Sequence, residues 1–252
     1  MTTARILIVA GSDSGGGAGI QADIKTVTML GGHAMTAITA ITAQNTLGVQ
    51  QVLPLPLDIV EAQFRSVAAD IGVDAVKIGM LGTADLVTAV ARLLRELPRS
   101  VPVVFDPVLV ATSGDALNTG GTAAAMAELL PLSTLVTPNL PELAALGGET
   151  VILAKAPALL IKGGHAEGET IVDRLLTPQG EVRRWADTRI ATTSTHGTGC
   201  TLASAVATGL GQGLALDHAV DRARRFVRAA LHAAPGLGRG HGPMGHQAVS
   251  AL

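Results

Sequence analysis

The chain has 252 residues, 48% hydrophobic but only 2% aromatic, with a formal net charge of −2. This length and composition fit one large α/β domain over 1–252 with a core of Leu, Val, Ile and Ala. The near-neutral charge argues against electrostatic binding of nucleic acid or an acidic membrane, and the lone cysteine excludes an internal disulfide or a multi-cysteine metal site.

The start, MTTAR, lacks the layout of a signal peptide, so a cytoplasmic location is expected. Two uncharged stretches, 26–57 and 191–216, are too rich in Gly, Thr, Gln and Pro to read as membrane spans. In chain order, Arg5 to Ala10 predicts a buried strand, and a glycine-rich turn follows at 11–19. A helix starts near Gly19 and stops at Gly31-Gly32. Strand, glycine loop and helix resemble a dinucleotide fold, but the glycines do not fit G-x-G-x-x-G and no acid occurs from Ile24 to Leu57 to hold a ribose. No P-loop motif occurs either. Gly11 to Gly15 could be read as a nucleophile elbow around Asp13, but it follows the first strand with no sheet yet beneath it. A loop that shapes a small-ligand pocket by close backbone approach is the better reading.

Ala34 to Thr46 reads as a strand ending in Gln44-Asn45-Thr46, whose amides could meet a polar heterocycle or simply cap a turn. Asp58 to Glu61 looks like a capping box opening a helix to about Asp70. Ala75 to Ile78 is a strand leading into Gly79-Met80-Leu81. Thr83 to Leu97 is the clearest amphipathic helix, with Leu86, Val90, Leu93, Leu94 and Leu97 inward. Three further strands each end in polar residues: 101–105 at Asp106, 133–136 at Asn139 and Glu142, and 158–161 at Lys162. In open α/β sheets ligands sit at that edge. Asp106 and Glu142 are candidate Mg²⁺ holders, and Lys162 a phosphate contact, although each alone could be a cap or an ion pair. Residues 169–185 predict an antiparallel hairpin at a sheet edge. A helix follows at 217–234, and the His- and Gly-rich end is expected to be irregular.

The stretch TTSTHGTGCTLASAV (192–206) organises the rest. A glycine turn that opens a helix leaves free N–H groups and the positive dipole end aimed at one spot, suited to a phosphate or a developing oxyanion. Cys200 falls in the first helical turn, where a thiol pKa is usually lowered. A small-residue turn needed only for close packing would look the same.

Taken together, seven segments resemble one family. They are AGSDSGGGAGIQADIKT (10–26), the strand ending in QNT (44–46), VKIGML (76–81), DPVLVATSGDAL (106–117), VTPNLPE (136–142), IKGGH (161–165) and THGTGCTLASA (195–205). In order and over nearly the whole chain, they resemble the ribokinase-like superfamily, and most closely its hydroxymethylpyrimidine/phosphomethylpyrimidine kinases. The resemblance implies a three-layer α/β/α fold with a central, mostly parallel sheet. It implies transfer of the γ-phosphate of ATP, with Mg²⁺, to 4-amino-5-hydroxymethyl-2-methylpyrimidine, and then to the monophosphate, in thiamine biosynthesis. By resemblance, Gln44 reads the pyrimidine, and Asp23, Gly11, Ala18, Met80 and Val108 are its pocket neighbours. Gly197, Thr198, Gly199 and Cys200 form the anion hole, with Cys200 where most of the superfamily carries a catalytic Asp. Asp106, Asn139 and Glu142 form the Mg²⁺-phosphate group, and Lys162 and Thr198 meet ATP phosphates. A homodimer is expected. The stretch 147–158 is shorter than the family's connecting helix, and HGPMGH (241–246) matches the family's close only loosely. Rival readings are a pyridoxal kinase of the same fold, a non-catalytic pyrimidine-binding protein, and a hydrolase built on Cys200 and His196.

Overall fold

The computed structural model describes residues 3–109, 114, 121–165 and 168–249. The first half contains β1 (Arg5–Asp13), α1 (Gly19–Met29), β2 (His33–Asn45), β3 (Gly48–Pro54), α2 (Leu57–Asp70), β4 (Ala75–Ile78), α3 (Ala84–Glu96) and β5 (Val103–Phe105). The second contains α4 (Thr122–Ala125), β6 (Leu135–Val136), α5 (Leu140–Ala145), α6 (Gly148–Leu153), β7 (Leu159–Ile161), β8 (Thr170–Thr177), β9 (Gly180–Thr188), α7 (Thr198–Gly211) and α8 (Leu216–His232). Part of the DPVLVATSGDAL segment, at 110–113 and 115–117, lies outside the described residues.

Among the described residues, nine strands form one sheet in the order β3-β2-β1-β4-β5-β6-β7-β8-β9. Strands β2, β1, β4, β5, β6 and β7 run parallel, and antiparallel strands close both ends. A parallel strand covered on both faces must be apolar at consecutive positions. β1 shows this directly: Ile6, Ile8 and Ala10 enter the core layer shared with α1, α7 and α8, while Leu7 and Val9 enter the layer shared with α2 and α3. The chain moves from β1 to β2 on one side and later to β4 on the other. The carboxyl ends of β1 and β4 therefore open a crevice at a topological switch point.

The scarcity of aromatic side chains is met by close packing of small ones. Ala203, Ala205 and Ala207 of α7 are fully buried, and so are Ala219 and Ala223 of α8. On the opposite face, α3 buries Leu86, Val90, Leu93 and Leu94 as predicted. Thr83 caps that helix by accepting the Leu86 N–H. Thr83→Ala should cost about 1 kcal/mol, read as a fall of roughly 2–4 °C in Tm by calorimetry.

Four sequence expectations change. The expected Asp58–Glu61 capping box is absent, because Pro56 takes the N-cap and no side chain caps α2. Residues after Asn45 turn back as β3 and pair antiparallel with β2, a strand not foreseen. The VTPNLPE segment continues as α5, with a capping box between Asn139 and Glu142, and α6 fills the short 147–158 stretch. The carboxyl end is anchored: His246 Nε2 lies 2.8 Å from Thr201 Oγ1, and the backbone N–H of His241 donates to Thr46 O at 2.8 Å.

Candidate active site

Helix α7 begins at Thr198, with Gly197 as N-cap in the left-handed region at φ 81°. A Cβ on Gly197 would strike the carbonyl oxygen of Gly17, so only glycine lets the 192–198 turn lie against the 14–18 loop. The Thr198 N–H donates back to Thr195 O at 3.4 Å, and the Thr201 N–H to Gly197 O at 2.9 Å. The amides of Gly199 and Cys200 precede it and carry the positive end of a 14-residue helix. Gly199 faces two charged groups: a Cβ there would lie 3.3 Å from Lys162 Nζ and 3.4 Å from Asp106 Oδ2.

Asp106 and Lys162 reach that spot from neighbouring strand ends. Asp106 follows β5, and its Oδ1 accepts from Lys162 Nζ at 2.7 Å and Thr137 Oγ1 at 3.0 Å. Lys162 follows β7, with Glu142 Oε2 at 3.9 Å. Burial opposes its charge, but Asp106 and Glu142 outweigh burial and hold its pKa above the usual lysine value. Glu142 shares this one ammonium with Asp106. Burial pushes its carboxyl up to about 7, against the pull of Lys162 and with the help of the Asp106 charge. The Asn139 side chain accepts the Glu142 N–H, while Glu142 Oε2 accepts the Asn139 N–H at 2.8 Å. The carboxamide oxygen of Asn139 is thus committed to a helix cap, and its nitrogen is the part that can turn to a ligand.

Beneath the turn lies a buried charged cluster. Lys77 of β4 and Asp23 of α1 are fully buried, and Lys77 Nζ donates to both Asp23 oxygens at 2.9 and 2.8 Å. Ser204 of α7 donates to Asp23 Oδ1 at 2.7 Å. Burial works against the Lys77 ammonium, but Asp23, Cys200 and Asp106 outweigh it and keep Lys77 charged. This corrects one expectation: Asp23 is not a wall of the ligand cavity, because its carboxylate is spent on Lys77 and Ser204. Lys77 lines the cavity instead.

The expected lowering of the Cys200 thiol pKa is also corrected. Burial pushes its thiol up to about 11; Lys77 pulls it down, but Asp23 and Asp106 push it further up. The helix dipole does not win, and the thiol is protonated at neutral pH. A Cys200–His196 catalytic pair is also absent, because His196 Nε2 lies 2.9 Å from Asp13 Oδ2 and 3.2 Å from Gln44 Nε2.

A cleft of about 920 Å³ joins these groups. Gln44, Gly11, Ala18, Met80 and Val108 line it, and so do residues 197–200, Asp106, Asn139, Glu142 and Lys162. It is large for one small ligand and suits two. Its lining also includes apolar Ile171, Ile190, Val227 and Leu231, among the charged Asp173, Asp187, Arg189, Arg224 and Arg228. Asp13, Thr42 and His196 also face the cleft; Thr42 was not foreseen, and Asp13 and His196 enter the sequence reading only through the elbow and hydrolase alternatives. Asp13 organises the 14–18 loop by accepting the N–H groups of Gly15, Gly17 and Ala18 at 2.8, 2.9 and 2.8 Å. The Asp-Ser-Gly-Gly-Gly run was the available signal, since a carboxylate before several glycines often holds their amides.

A helix amino terminus, a lysine and two carboxylates at the carboxyl edge of an open α/β sheet define a phosphoryl-transfer cleft of the ribokinase-like class. The phosphomethylpyrimidine kinase family model matches residues 13–245. The hydroxymethylpyrimidine/phosphomethylpyrimidine kinase of Streptomyces coelicolor is 47% identical over 98% of this chain and 95% of its own length. The thiamine biosynthesis multifunctional protein of Corynebacterium efficiens is 43% identical over 98% of this chain, which spans only 35% of that longer protein. The structure of pyridoxal kinase from Staphylococcus aureus, in complex with AMP-PCP and pyridoxal, matches with a TM-score of 0.88 and 32% identity, covering 99% of this chain and 97% of that one. The chain belongs to the phosphomethylpyrimidine kinase family and is an ATP-dependent phosphotransferase. Among the described residues, no helix is long and apolar enough to cross a membrane.

Proposed function

We propose that this protein transfers the γ-phosphoryl group of ATP to the 5-hydroxymethyl group of 4-amino-5-hydroxymethyl-2-methylpyrimidine, and a second one to the resulting monophosphate, in thiamine biosynthesis. The observation that carries this reading is the convergence at Gly199. Its amide turn meets Lys162 and Asp106 on one side, and the adjoining His196 touches Gln44 on the other. In the first transfer the alcohol oxygen bonds to the γ-phosphorus, the bond to the β,γ-bridging oxygen breaks, ADP leaves and the alcohol proton is released. Such transition states are loose, so positioning and charge stabilisation dominate and no strong base is required. Gly197 to Cys200 present amides to the transferring group. Lys162, Thr198 and the Asn139 nitrogen face the ATP phosphates, and apolar side chains of the cleft, among them Ile190, Val227 and Leu231, take the adenine. Gln44 meets the ring, with Gly11, Ala18, Met80 and Val108 as its walls.

Asp106 and Glu142 suit Mg²⁺. Two buried carboxylates share one ammonium, so a hard dication would balance them. No cluster of three or more His, Cys, Asp or Glu able to hold a metal occurs among the described residues. Phosphate oxygens and water would therefore complete the shell, as Mg²⁺ prefers. Bound there, Mg²⁺ supplies charge neutralisation for the phosphates.

The pKa of Glu142 gives this assignment a test independent of activity. The carboxyl titrates near 4.5 when unfolded and at about 7 in the fold. The native state therefore holds the extra proton between those values, and its stability falls as pH rises from about 4.5 to about 7. His246 acts oppositely, because burial lowers its imidazole from 6.5 to about 4. The Glu142 contribution is therefore the difference in Tm between Glu142→Gln and the unsubstituted protein across this range. Mg²⁺ should shrink that difference by favouring the carboxylate. An equal Mg²⁺ effect on Tm in both proteins would contradict the assignment.

The continuous sheet supports one domain over the whole chain. A cytoplasmic location fits the use of ATP. A homodimer is part of the proposal, supported by the exposed Leu47, Leu53, Leu57 and Ile59 in and around β3 and at the start of α2. Light scattering behind size exclusion tests it, and a monomer at micromolar concentration would refute it. The function itself is tested by coupled ADP release with hydroxymethylpyrimidine, its monophosphate and pyridoxal in parallel. Turnover of both pyrimidines supports the reading; turnover of pyridoxal alone would overturn it in favour of a pyridoxal kinase.

A further inference from the structure

Gln44 is held unusually well for a ligand-reading side chain. Its backbone is clamped by Ser14, whose Oγ donates to Gln44 O at 2.9 Å and accepts the Gln44 N–H at 2.8 Å. Its carboxamide lies between two polar side chains. On one side His196 Nε2 is 3.2 Å from the amide nitrogen. On the other, Thr42 Oγ1 is 3.2 Å from the amide oxygen.

Hydrogen accounting decides which way this amide faces. Asp13 is buried, and burial favours its neutral form, but bonds from His196, Ala18 and Gly15 outweigh that and hold its pKa low. Its carboxylate can only accept, so His196 Nε2, 2.9 Å away, carries a proton and donates to it. That nitrogen then has no lone pair to take a proton from a Gln44 NH₂. Thr42 has a single hydroxyl proton, and its shorter contact is to Ser12 O at 2.9 Å. Toward Gln44, Thr42 is therefore an acceptor and needs a donor opposite. Both conflicts ease in one arrangement, with the carboxamide nitrogen donating to Thr42 and its oxygen toward His196, whose one Nε2 proton is then shared between Asp13 at 2.9 Å and, more weakly, Gln44 at 3.2 Å. The two ends of an amide are nearly the same shape, so surrounding bonds alone set its direction.

We propose that His196, held by Asp13, together with Thr42, fixes the order in which Gln44 presents its acceptor and its donor to the ring. This sets a preference for a 4-aminopyrimidine over its 4-oxo counterpart. The inference rests on the function proposed above. A 4-aminopyrimidine offers a ring-nitrogen acceptor beside an amino donor; the 4-oxo tautomer offers an N–H donor beside a carbonyl acceptor. A freely turning glutamine could serve both by flipping. One held from two sides serves one and leaves the other with mismatched buried polar groups. Gly17 belongs to the same arrangement, because a Cβ there would sit 2.5 Å from His196 Cδ2 and displace the imidazole. His196 and Thr42 are thus positioning residues that act through Gln44.

The test compares kcat/KM for 4-amino-5-hydroxymethyl-2-methylpyrimidine and for the 4-oxo analogue in four proteins. The unsubstituted enzyme prefers the amino ring. His196→Phe should lower that preference about tenfold, the worth of one hydrogen-bonding restraint. His196→Gln, whose amide can still donate to Asp13 and Gln44, should restore most of it. A merely structural role would slow both substrates alike and leave the ratio unchanged, and that result would overturn the inference. If thermal denaturation shows His196→Phe unfolded, Thr42→Val takes its place and must narrow the same ratio. Turnover of neither pyrimidine by the unsubstituted protein would remove the proposed function, and this inference with it. An unchanged ratio in an active enzyme removes the inference alone.

Discussion

Gly199→Val should lose nearly all turnover, roughly 10³-fold or more, while Cys200→Ala keeps a measurable fraction. The Gly199 backbone is not in the left-handed region, so valine imposes no strain on the main chain. Its Cβ instead lies 3.3 Å from Lys162 Nζ and 3.4 Å from Asp106 Oδ2, and its methyl groups fill the seat proposed for the phosphoryl group. Loss of a single preorganised donor already costs 10²–10³-fold in comparable sites, and occupying the seat costs more. Cys200 has a thiol pushed up to about 11, so little thiolate exists at neutral pH to act as a base. In the proposed mechanism its amide, which alanine preserves, is the part that faces the phosphate. Steady-state ADP release from both variants, with thermal denaturation to confirm folding, measures this ranking. Greater damage in Cys200→Ala than in Gly199→Val would refute it.

The second large effect concerns stability. Lys77→Met leaves Asp23 buried with only the Ser204 hydroxyl as partner. Removing one member of a buried ion pair costs about 3–5 kcal/mol, because the remaining charge is uncompensated. For a chain of this size that corresponds to a fall of roughly 6–20 °C in Tm. The double variant Lys77→Met/Asp23→Leu should recover much of the loss, since two apolar groups replace the pair without orphaning either charge. A single variant with unchanged Tm, or a double variant no better than the single, would contradict the reading of this cluster.

Most of the sheet was legible because a strand covered on both faces announces itself by unbroken apolar sequence, as at Ile6 to Ala10; Ala75 to Ile78 keeps that pattern except at Lys77. The edge strand β3 was not, because Gln50, Gln51 and Leu53 are exposed and leave no periodicity. Helix α5 is only six residues long and holds Pro141, so its local pattern reads as a loop. Asp106, Glu142 and Lys162 could be found one strand end at a time, since that edge is where open α/β sheets bind ligands. The environment of Cys200 could not, because Asp23, Lys77 and Asp106 converge on it from three other elements. The contact between Asp13 and His196 spans 183 positions and depends on two glycine loops lying against each other. Neither loop encodes the other.

The central claim is that the amides near Gly199 and the carboxamide of Gln44 serve one cleft, where a phosphoryl group passes from ATP to an alcohol. Phosphorus NMR of ATP, Mg²⁺ and hydroxymethylpyrimidine with the enzyme follows that group directly. The account predicts a new phosphomonoester signal as the γ-phosphate disappears, succeeded by a diphosphate pair. Inorganic phosphate as the only new species, or an unchanged ATP spectrum, would contradict it.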